Sequence, residues 1–429
     1  MKLQIFLTLL FAHLSVYAQE QQFLYKARKI QATPNIILEP GEILVEGSRI
    51  VAIGKSLSRP KNCQLIDWQS YEIFPGLISP GSSLGLAEIN ALRPTRDENE
   101  VGSHTPEIEA WTAVNPDSEL IPVARANGIT HSLTVPMGGT ISGISGVISL
   151  EGWGIEEMTI KKKVALHIWW PGQGLSIHAH NKSSKSMDEQ VKDRMKSIRD
   201  MEEFFNQADA YLKARNNAQD RKSQLNPSWE AMIPFITGKL PIIVHADETR
   251  QISSAVEWAK KRKFKIILSG GRDAWKIADV LAKQKIPVIF RHIFTAPVQI
   301  NDPFDTHFRA PGILANAGVE LSIGLRLGAW SAANQRNLPY HAAHAIPVGL
   351  QRKHALASIT LNPAKLLGIE DRLGSLEKGK EATFIACNGD IFDLRTTVEH
   401  MRISGEEVDL SSRHTRLYKK YQKRPKKGN

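Results

Sequence analysis

The sequence predicts an α/β protein, a (β/α)₈ TIM-type barrel with a small β-sandwich domain formed by both chain ends. Two observations predict it. Between residues 75 and 370, short apolar runs alternate with helical patterns, which is typical of a parallel sheet covered by helices. Before and after this region, β-type runs are separated by turn signals such as Glu39-Pro40-Gly41 and Asn388-Gly389-Asp390. Periodicity alone leaves a doubly wound sheet open as an alternative.

Eight apolar runs in the central region are candidate strands. They are residues 73–78, 130–135, 147–150, 164–169, 242–246, 266–269, 287–290 and 319–323. Eight strands in a region of this length suit a (β/α)₈ barrel with insertions, because this fold usually takes about 250 residues. Functional groups are then expected at the carboxyl ends of the strands.

The chain is expected to divide into four parts. These are a signal peptide at 1–18, a β-sandwich domain from 19–74 and 371–412, a barrel at 75–370, and a basic tail at 413–429. Lys2 precedes an apolar run that ends in Val16-Tyr17-Ala18, which is typical of a secretory signal peptide. We therefore expect export to the periplasm or the cell exterior, with a mature chain beginning at Gln19.

The formal net charge of +11 is concentrated in the tail, where residues 413–429 hold eight Lys and Arg side chains and no acid. A charge block at a terminus is usually a solvated tail. Nothing in the sequence indicates base recognition, so no nucleic-acid partner is expected. No run reaches the ~20 apolar residues of a membrane-spanning helix. Contact between the tail and an acidic envelope surface stays open.

Three stretches resemble the amidohydrolase superfamily, and their order covers most of the chain. Residues 43–54 are similar to its opening β-hairpin. Residues 74–86 resemble its first barrel strand, in which Pro-Gly-Leu-Ile-Asp runs into His-x-His. Residues 355–382 closely resemble the signature, with Thr-x-Asn-Pro-Ala and Gly-Ser-Leu, in which the last barrel helix returns to the β-domain. Within the superfamily the chain looks most like exported, imidazolonepropionase-like members.

This resemblance implies a metal-dependent hydrolase, because the superfamily uses one or two divalent ions, usually zinc, to generate hydroxide from water. It places metal ligands at the ends of strands 1, 4, 5, 6 and 8. Those positions hold Gly81 and Ser83, then His167 without a nearby Lys or Glu, then His245, Ser269, and Leu325 or Arg326. Only His245 keeps the expected ligand. Zinc is thus expected from the family, but most of its ligand positions are substituted.

Polar residues that follow the strands are the candidate site residues. His245 and Asp273 are candidate catalytic residues, Arg272, Arg326, Glu88 and Arg93 are candidate substrate-binding residues, and His245 is the one candidate metal ligand. Side chains at this face of a barrel normally build its site. The alternative for each is a structural role, such as a salt bridge or a helix cap, and Asp273 suits a helix start.

His178 and His180 form a His-x-His pair after the fourth predicted strand. Together with His245 they offer a relocated metal site, although a carboxylate or fourth ligand is missing. Two solvated loop histidines are the alternative.

Three functions follow from these features. The first is a hydrolase that acts on a non-peptide C–N bond of a small amide. The second is a metal-free pseudoenzyme that binds a small ligand in the barrel pocket, which the substituted ligand positions favour. The third is an envelope-associated interaction protein that uses the basic tail. The expected partner in the first two is a small molecule, and a homo-oligomer stays open.

Overall fold

A computed structural model describes residues 21–172, 184–217 and 225–424. The predicted signal peptide, the pair His178 and His180, and residues 425–429 of the predicted tail lie outside these described residues.

Strands and helices alternate through the middle of the described chain, and strands predominate near its ends. The strands are β1 (Gln22–Thr33), β2 (Ile36–Leu38), β3 (Gly41–Glu46), β4 (Arg49–Gly54), β5 (Gln64–Pro75), β6 (Leu77–Ser82), β7 (Ile129–Thr134), β8 (Ile141–Ser149), β9 (Thr159–Trp169), β10 (Ile242–Ala246), β11 (Ile266–Gly270), β12 (Val288–Phe290), β13 (Leu321–Ile323), β14 (Phe384–Cys387), β15 (Val398–Ile403) and β16 (Glu406–Glu407).

The helices lie mostly between the strands of the central region. They are α1 (Leu120–Arg125), α2 (Ile155–Met158), α3 (Met187–Asn217), α4 (Pro227–Ile236), α5 (Thr249–Arg262), α6 (Ala278–Lys283), α7 (Thr306–Asn316), α8 (Ala329–Ala332), α9 (Leu338–Ala345), α10 (Arg352–Ala357), α11 (Leu361–Leu367) and α12 (Arg413–Gln422). Short 3-10 turns occur at Arg93–Thr95, Ala110–Ala113, Ala274–Ile277 and Gln335–Asn337. None of the helices in the described ranges is long and apolar enough to cross a membrane.

The two chain ends form one mixed sheet, in the order β16-β15-β14-β5-β1-β3-β4, with β2 paired to β1. The join between the ends is the antiparallel pair of β14 and β5. Tyr25, Trp68 and Phe384 pack together there, with the Tyr25 ring centroid 4.8 Å from Trp68 and 5.2 Å from Phe384. Because aromatic contacts of this kind stabilise beyond simple burial, side chains from both ends hold the sheet together.

The central region forms the predicted barrel, an eight-stranded sheet in the order β6 to β13. Each of the eight predicted apolar runs overlaps a strand of the structure. β8 differs from a regular (β/α)₈ barrel, because it runs antiparallel to both β7 and β9. The connection between β7 and β8 spans only residues 135–140. A segment this short makes a hairpin, whereas a parallel crossover needs a dozen residues or more.

The seam of the barrel is completed by the segment that follows α10. The N–H groups of Ile78 in β6 and Ile323 in β13 donate to the carbonyl oxygens of Ile359 and Ser358, at 2.9 and 3.0 Å. The side chain of Asn362 then donates to the carbonyl oxygen of Leu321, at 2.7 Å. Residues 358–362, which lead into and begin the Thr-x-Asn-Pro-Ala stretch, therefore bridge the first and last barrel strands.

The basic C-terminal segment is partly helical. Ser412 caps α12 by accepting a hydrogen bond from the N–H of Thr415. Arg416 pairs with Glu119 at 3.0 Å, and no residue of α12 is buried. The described part of the tail is thus an exposed helix held at the protein surface.

Candidate functional site

A cavity of about 260 Å³ opens at the carboxyl ends of β9 to β13. Its wall consists of Met137, Trp169, Trp170, His245, Ala246, Asp247, Gln251, Ser269, Gly270, Arg291, His292, Arg326 and Leu327. Functional groups of barrel proteins gather at this end of the strands, because the loops that follow parallel strands converge there. The cavity combines aromatic walls with convergent polar groups, as small-molecule sites usually do.

A larger groove, of about 660 Å³, lies at the opposite end of the strands. Residues at the amino-terminal ends of β10, β11 and β12 line it, together with six lysines and no acidic residue. That end of a barrel normally serves stability. The smaller cavity, with its mixture of acidic, basic and imidazole groups, is therefore the candidate site.

His245 ends β10, a strand whose five residues are all buried. The imidazole stacks on the Trp169 ring with centroids 3.9 Å apart, and its Nε2 lies 2.9 Å from Nδ1 of His167. Burial is the main cause that holds the pKa of His245 well below its ordinary value, and His167 and Arg291 add to it. Burial, followed by Arg291, lowers the pKa of His167 to about 3. Both rings are therefore neutral at physiological pH.

Asp247 follows β10, and Gln251 fixes its loop. The side-chain oxygen of Gln251 accepts a hydrogen bond from the N–H of Asp247 at 2.8 Å. Oδ1 of Asp247 lies 2.7 Å from Nε2 of His292, the second residue after β12. Burial raises the pKa of Asp247, but the hydrogen bond and charge of His292, together with the backbone N–H and charge of Arg272, outweigh burial, so the pKa lies below its ordinary value. The site thus holds an ionised carboxylate beside an imidazole.

Arg291, the first residue after β12, crosses the barrel mouth with its guanidinium buried. Its Nε donates to Ser269 Oγ at 2.8 Å. Its terminal nitrogens donate to the carbonyl oxygens of Gly81 (3.0 Å), Leu325 (2.6 Å) and Pro80 (3.2 Å). One side chain therefore ties together the ends of the first, sixth, seventh and eighth strands of the barrel sheet.

The charge of Arg291 has no carboxylate at ion-pair distance among the residues that the structure describes. Burial lowers its pKa to about 9, and Asp247 only partly opposes that effect. An unpaired buried charge is costly, so the backbone carbonyls and Ser269 must replace its hydration. The sequence interpretation missed Arg291, although a cation directly after the seventh predicted strand is the signal that could have found it.

The structure brings two of the predicted site residues into the cavity, His245 and Arg326. The Arg326 side chain is exposed at the rim and has no hydrogen bond or ion pair with any described residue. Asp273 and Arg272 do not line the cavity. Asp273 is buried beside Arg272 and Lys276, at 3.4 and 3.9 Å.

The other two predicted substrate-binding residues, Glu88 and Arg93, lie in the loop after β6 and do not line the cavity. The N–H of Glu88 donates to the carbonyl oxygen of Thr95 at 3.0 Å, which folds this loop onto itself. Arg93 is exposed at the start of a 3-10 turn. No residue of this loop is among those that line the cavity.

The fold and the cavity define a barrel protein with ionisable side chains at the carboxyl ends of its strands. Residues 239–408 match the amidohydrolase family. The chain is 21% identical to the amidohydrolase tasK of Hapsidospora irregularis over 424 residues, which covers 88% of this chain and 41% of that protein. The chain therefore spans less than half the length of this relative.

Solved structures show the same architecture. An amidohydrolase from Thermotoga maritima is 25% identical with a TM-score of 0.80, over 90% of this chain and 99% of that one. An adenosine deaminase from Xanthomonas campestris with bound zinc is 14% identical with a TM-score of 0.52, over 94% and 98% of the two chains, and shows the fold alone. The chain therefore carries an amidohydrolase family domain at residues 239–408, and over most of its length it is similar to amidohydrolases.

The residues present at the barrel mouth do not fit the metal site of the superfamily. Within the described ranges, no group of three or more His, Cys, Asp or Glu side chains could hold a metal ion. A Cβ atom built on Gly81 would lie 2.5 Å from Nη2 of Arg291, so a histidine there would collide with the guanidinium. Ser83 instead accepts a hydrogen bond from the N–H of Gly328 at 3.1 Å. No chemical step here is assigned to zinc.

Acid should destabilise the protein through His167. Its pKa is near 6.5 in the unfolded chain and about 3 in the fold, so the unfolded state binds more protons between these values. Stability is therefore complete above pH ~6.5 and falls as the pH drops toward 3, by on the order of 1.4 kcal/mol per pH unit for this group. Urea denaturation at pH 7 and pH 5 measures the loss.

The variant His167→Gln should show a shallower pH dependence than the wild-type protein. Lys196→Gln, at an exposed position, serves as the control and should keep the wild-type slope. An unchanged slope in His167→Gln would show that this histidine does not titrate as described.

Proposed function

We propose that the chain is a hydrolase that acts on a non-peptide C–N bond of a small amide in the cavity at the barrel mouth. The match of residues 239–408 to the amidohydrolase family supports hydrolysis in general. The observation that carries the proposal is the Asp247–His292 pair, whose carboxylate lies at the cavity wall with Oδ2 unbonded among the described residues. An ionised carboxylate that can reach a water molecule is a suitable general base.

The groups of the cavity suggest one reaction scheme. Asp247 accepts a proton from water as the oxygen adds to the amide carbon. The proton then passes to the departing nitrogen, the C–N bond breaks, and a carboxylic acid and an amine result. His292 holds Asp247 in position through the 2.7 Å contact. A carboxylate oriented in this way does not need to be repositioned during the reaction.

His245 suits a supporting role in this scheme. If His167 Nδ1 donates to His245 Nε2, the neutral His245 ring carries its proton on Nδ1. That nitrogen has no partner among the described residues, and His245 lines the cavity. Its N–H group is then available to the carbonyl oxygen, where negative charge develops as water adds.

A second function, ligand binding without hydrolysis, is favoured by one observation. The Arg291 guanidinium contacts three of the positions at which the superfamily resemblance expects metal ligands, namely Gly81, Ser269 and Leu325. A pocket arranged in this way can bind a ligand without turning it over. Incubation of the purified protein with N-acyl amino acids and cyclic amides, with mass-spectrometric detection of products and calorimetric detection of binding, separates the two functions.

Asp247→Asn should lower the rate of amide hydrolysis at least about a hundredfold, since a general base contributes 10²–10⁴-fold. The substitution keeps the shape of the side chain and removes its charge. Steady-state kinetics with the best substrate of the panel measures the effect. Asp393→Asn, an exposed partner of Arg395, is the matched control and should keep wild-type activity. Equal rates for Asp247→Asn and wild type would contradict the assigned base.

We also infer that the protein is exported, on the strength of its N-terminal composition. Protein isolated from the native cell envelope or medium should begin at Gln19, because Val16-Tyr17-Ala18 offers the small residues that a signal peptidase recognises. N-terminal sequencing measures this directly. An intact Met1 in that material would contradict cleavage.

A further inference from the structure

The Arg291 guanidinium occupies the centre of the barrel mouth, where the strand ends converge. Three of its four hydrogen-bond acceptors belong to Gly81, Ser269 and Leu325, positions that would hold metal ligands in the first, sixth and eighth strands of the superfamily pattern. Glycine residues beside the guanidinium also leave space for it. A Cβ atom on Gly81 would lie 2.5 Å from Nη2, and one on Gly324 would lie 3.1 Å from Nη1. The positive charge at the centre of the barrel mouth is therefore the guanidinium of Arg291.

This cation is not neutralised by the protein. Its four hydrogen bonds go to three carbonyl oxygens and one hydroxyl, all of them uncharged. One N–H group on Nη2 has no acceptor among the described residues. Arg291 also lines the cavity. A buried guanidinium with an unused donor at a cavity wall is the physical requirement for binding an anion, because the anion supplies the missing counter-charge.

Arg326 adds a second positive charge to the same cavity. It lies at the rim, without a partner in the described chain. The one acidic side chain of the wall, Asp247, is bonded to His292. The charge that a ligand meets is therefore positive on balance, and the two guanidinium groups belong to neighbouring strand ends.

The remaining wall indicates what the anion is attached to. Trp169, Met137 and Leu327 supply aromatic and apolar surface beside the two arginines. The volume of about 260 Å³ admits a small organic molecule. The guanidinium of Arg326 can donate two parallel hydrogen bonds to a planar carboxylate, because it has no partner in the described chain. The unused N–H group on Nη2 of Arg291 can donate one more. An inorganic anion would leave the apolar wall without a partner.

We propose that Arg291 is the resident cation of this site in place of the superfamily's metal, and that Arg291 and Arg326 bind the carboxylate of a small amide ligand. The ligand class is an amide that carries a free carboxylate, such as an N-acyl amino acid. The inference rests on the proposed function only in its choice of the cavity, because carboxylate binding does not require turnover.

A matched pair of probes tests the inference on the purified full chain. N-Acetylglycine carries the carboxylate, and N-acetylglycinamide has nearly the same shape without the charge. Isothermal calorimetry should show binding of N-acetylglycine that is about tenfold or more tighter than binding of the neutral amide, as expected for charge-assisted hydrogen bonds. Inorganic phosphate at the same concentration should compete poorly.

Variants locate the effect. Arg326→Gln, at an exposed rim position, should fold normally and weaken N-acetylglycine binding about tenfold. Arg291→Lys keeps a charge but loses the guanidinium and with it the unused N–H group on Nη2, and should also reduce the preference for the carboxylate. Circular dichroism establishes that each variant is folded. Arg395→Gln, at a side chain 90% exposed, is the control and should bind as the wild-type protein does.

Several results would overturn the inference. These are equal affinity for the two probes, no binding of N-acetylglycine, phosphate competing as strongly as the carboxylate, and full selectivity retained in folded Arg326→Gln and Arg291→Lys. Selective binding of N-acetylglycine without hydrolysis of any tested amide would leave this inference standing and contradict the proposed hydrolase instead. The two proposals can thus fail separately.

Discussion

The buried guanidinium of Arg291 is the constraint on which the candidate site depends. A cation cannot remain in the interior of a barrel unless polar groups replace its water, and here three strand-end carbonyl oxygens and the Ser269 hydroxyl do so. That requirement accounts for small residues around it. Gly81 and Gly324 leave space for the guanidinium, and Ser269 supplies a short acceptor where an imidazole would be too large.

The same cation influences the ionisation of its neighbours. After burial, Arg291 is a further cause of the low pKa of both His167 and His245, so the two imidazoles stay neutral and share one hydrogen bond. Asp247 keeps its negative charge because His292 pairs with it. The cavity thus holds separate groups for proton acceptance and for anion binding, positioned by a rigid barrel whose seam the segment after α10 completes.

Much of this architecture could be predicted from the sequence. The eight apolar runs show the local periodicity of a barrel. The Thr-x-Asn-Pro-Ala stretch resembles a family signature, which predicted that the chain returns to the terminal sheet. The antiparallel direction of β8 follows from the short connection between β7 and β8. Hydrophobic periodicity carries no information about strand direction. Arg291 was missed because its role requires acceptors at the ends of three other strands, namely three backbone carbonyl oxygens and the Ser269 hydroxyl. Asp273 and Arg272 lie close to a strand end, as His245 does. The sequence pattern could not show that only His245 lines the cavity, because this depends on three-dimensional packing.

Elemental analysis of the purified protein tests the central claim most directly, namely that an arginine of the chain stands in the place of the metal. Protein produced in zinc-supplemented medium and passed through a desalting column should carry well under one metal ion per chain. The reason is that Gly81, Ser83 and Ser269 supply no imidazole, and Arg291 fills the space between Gly81 and Ser269. One or two tightly bound divalent ions per chain would contradict the account.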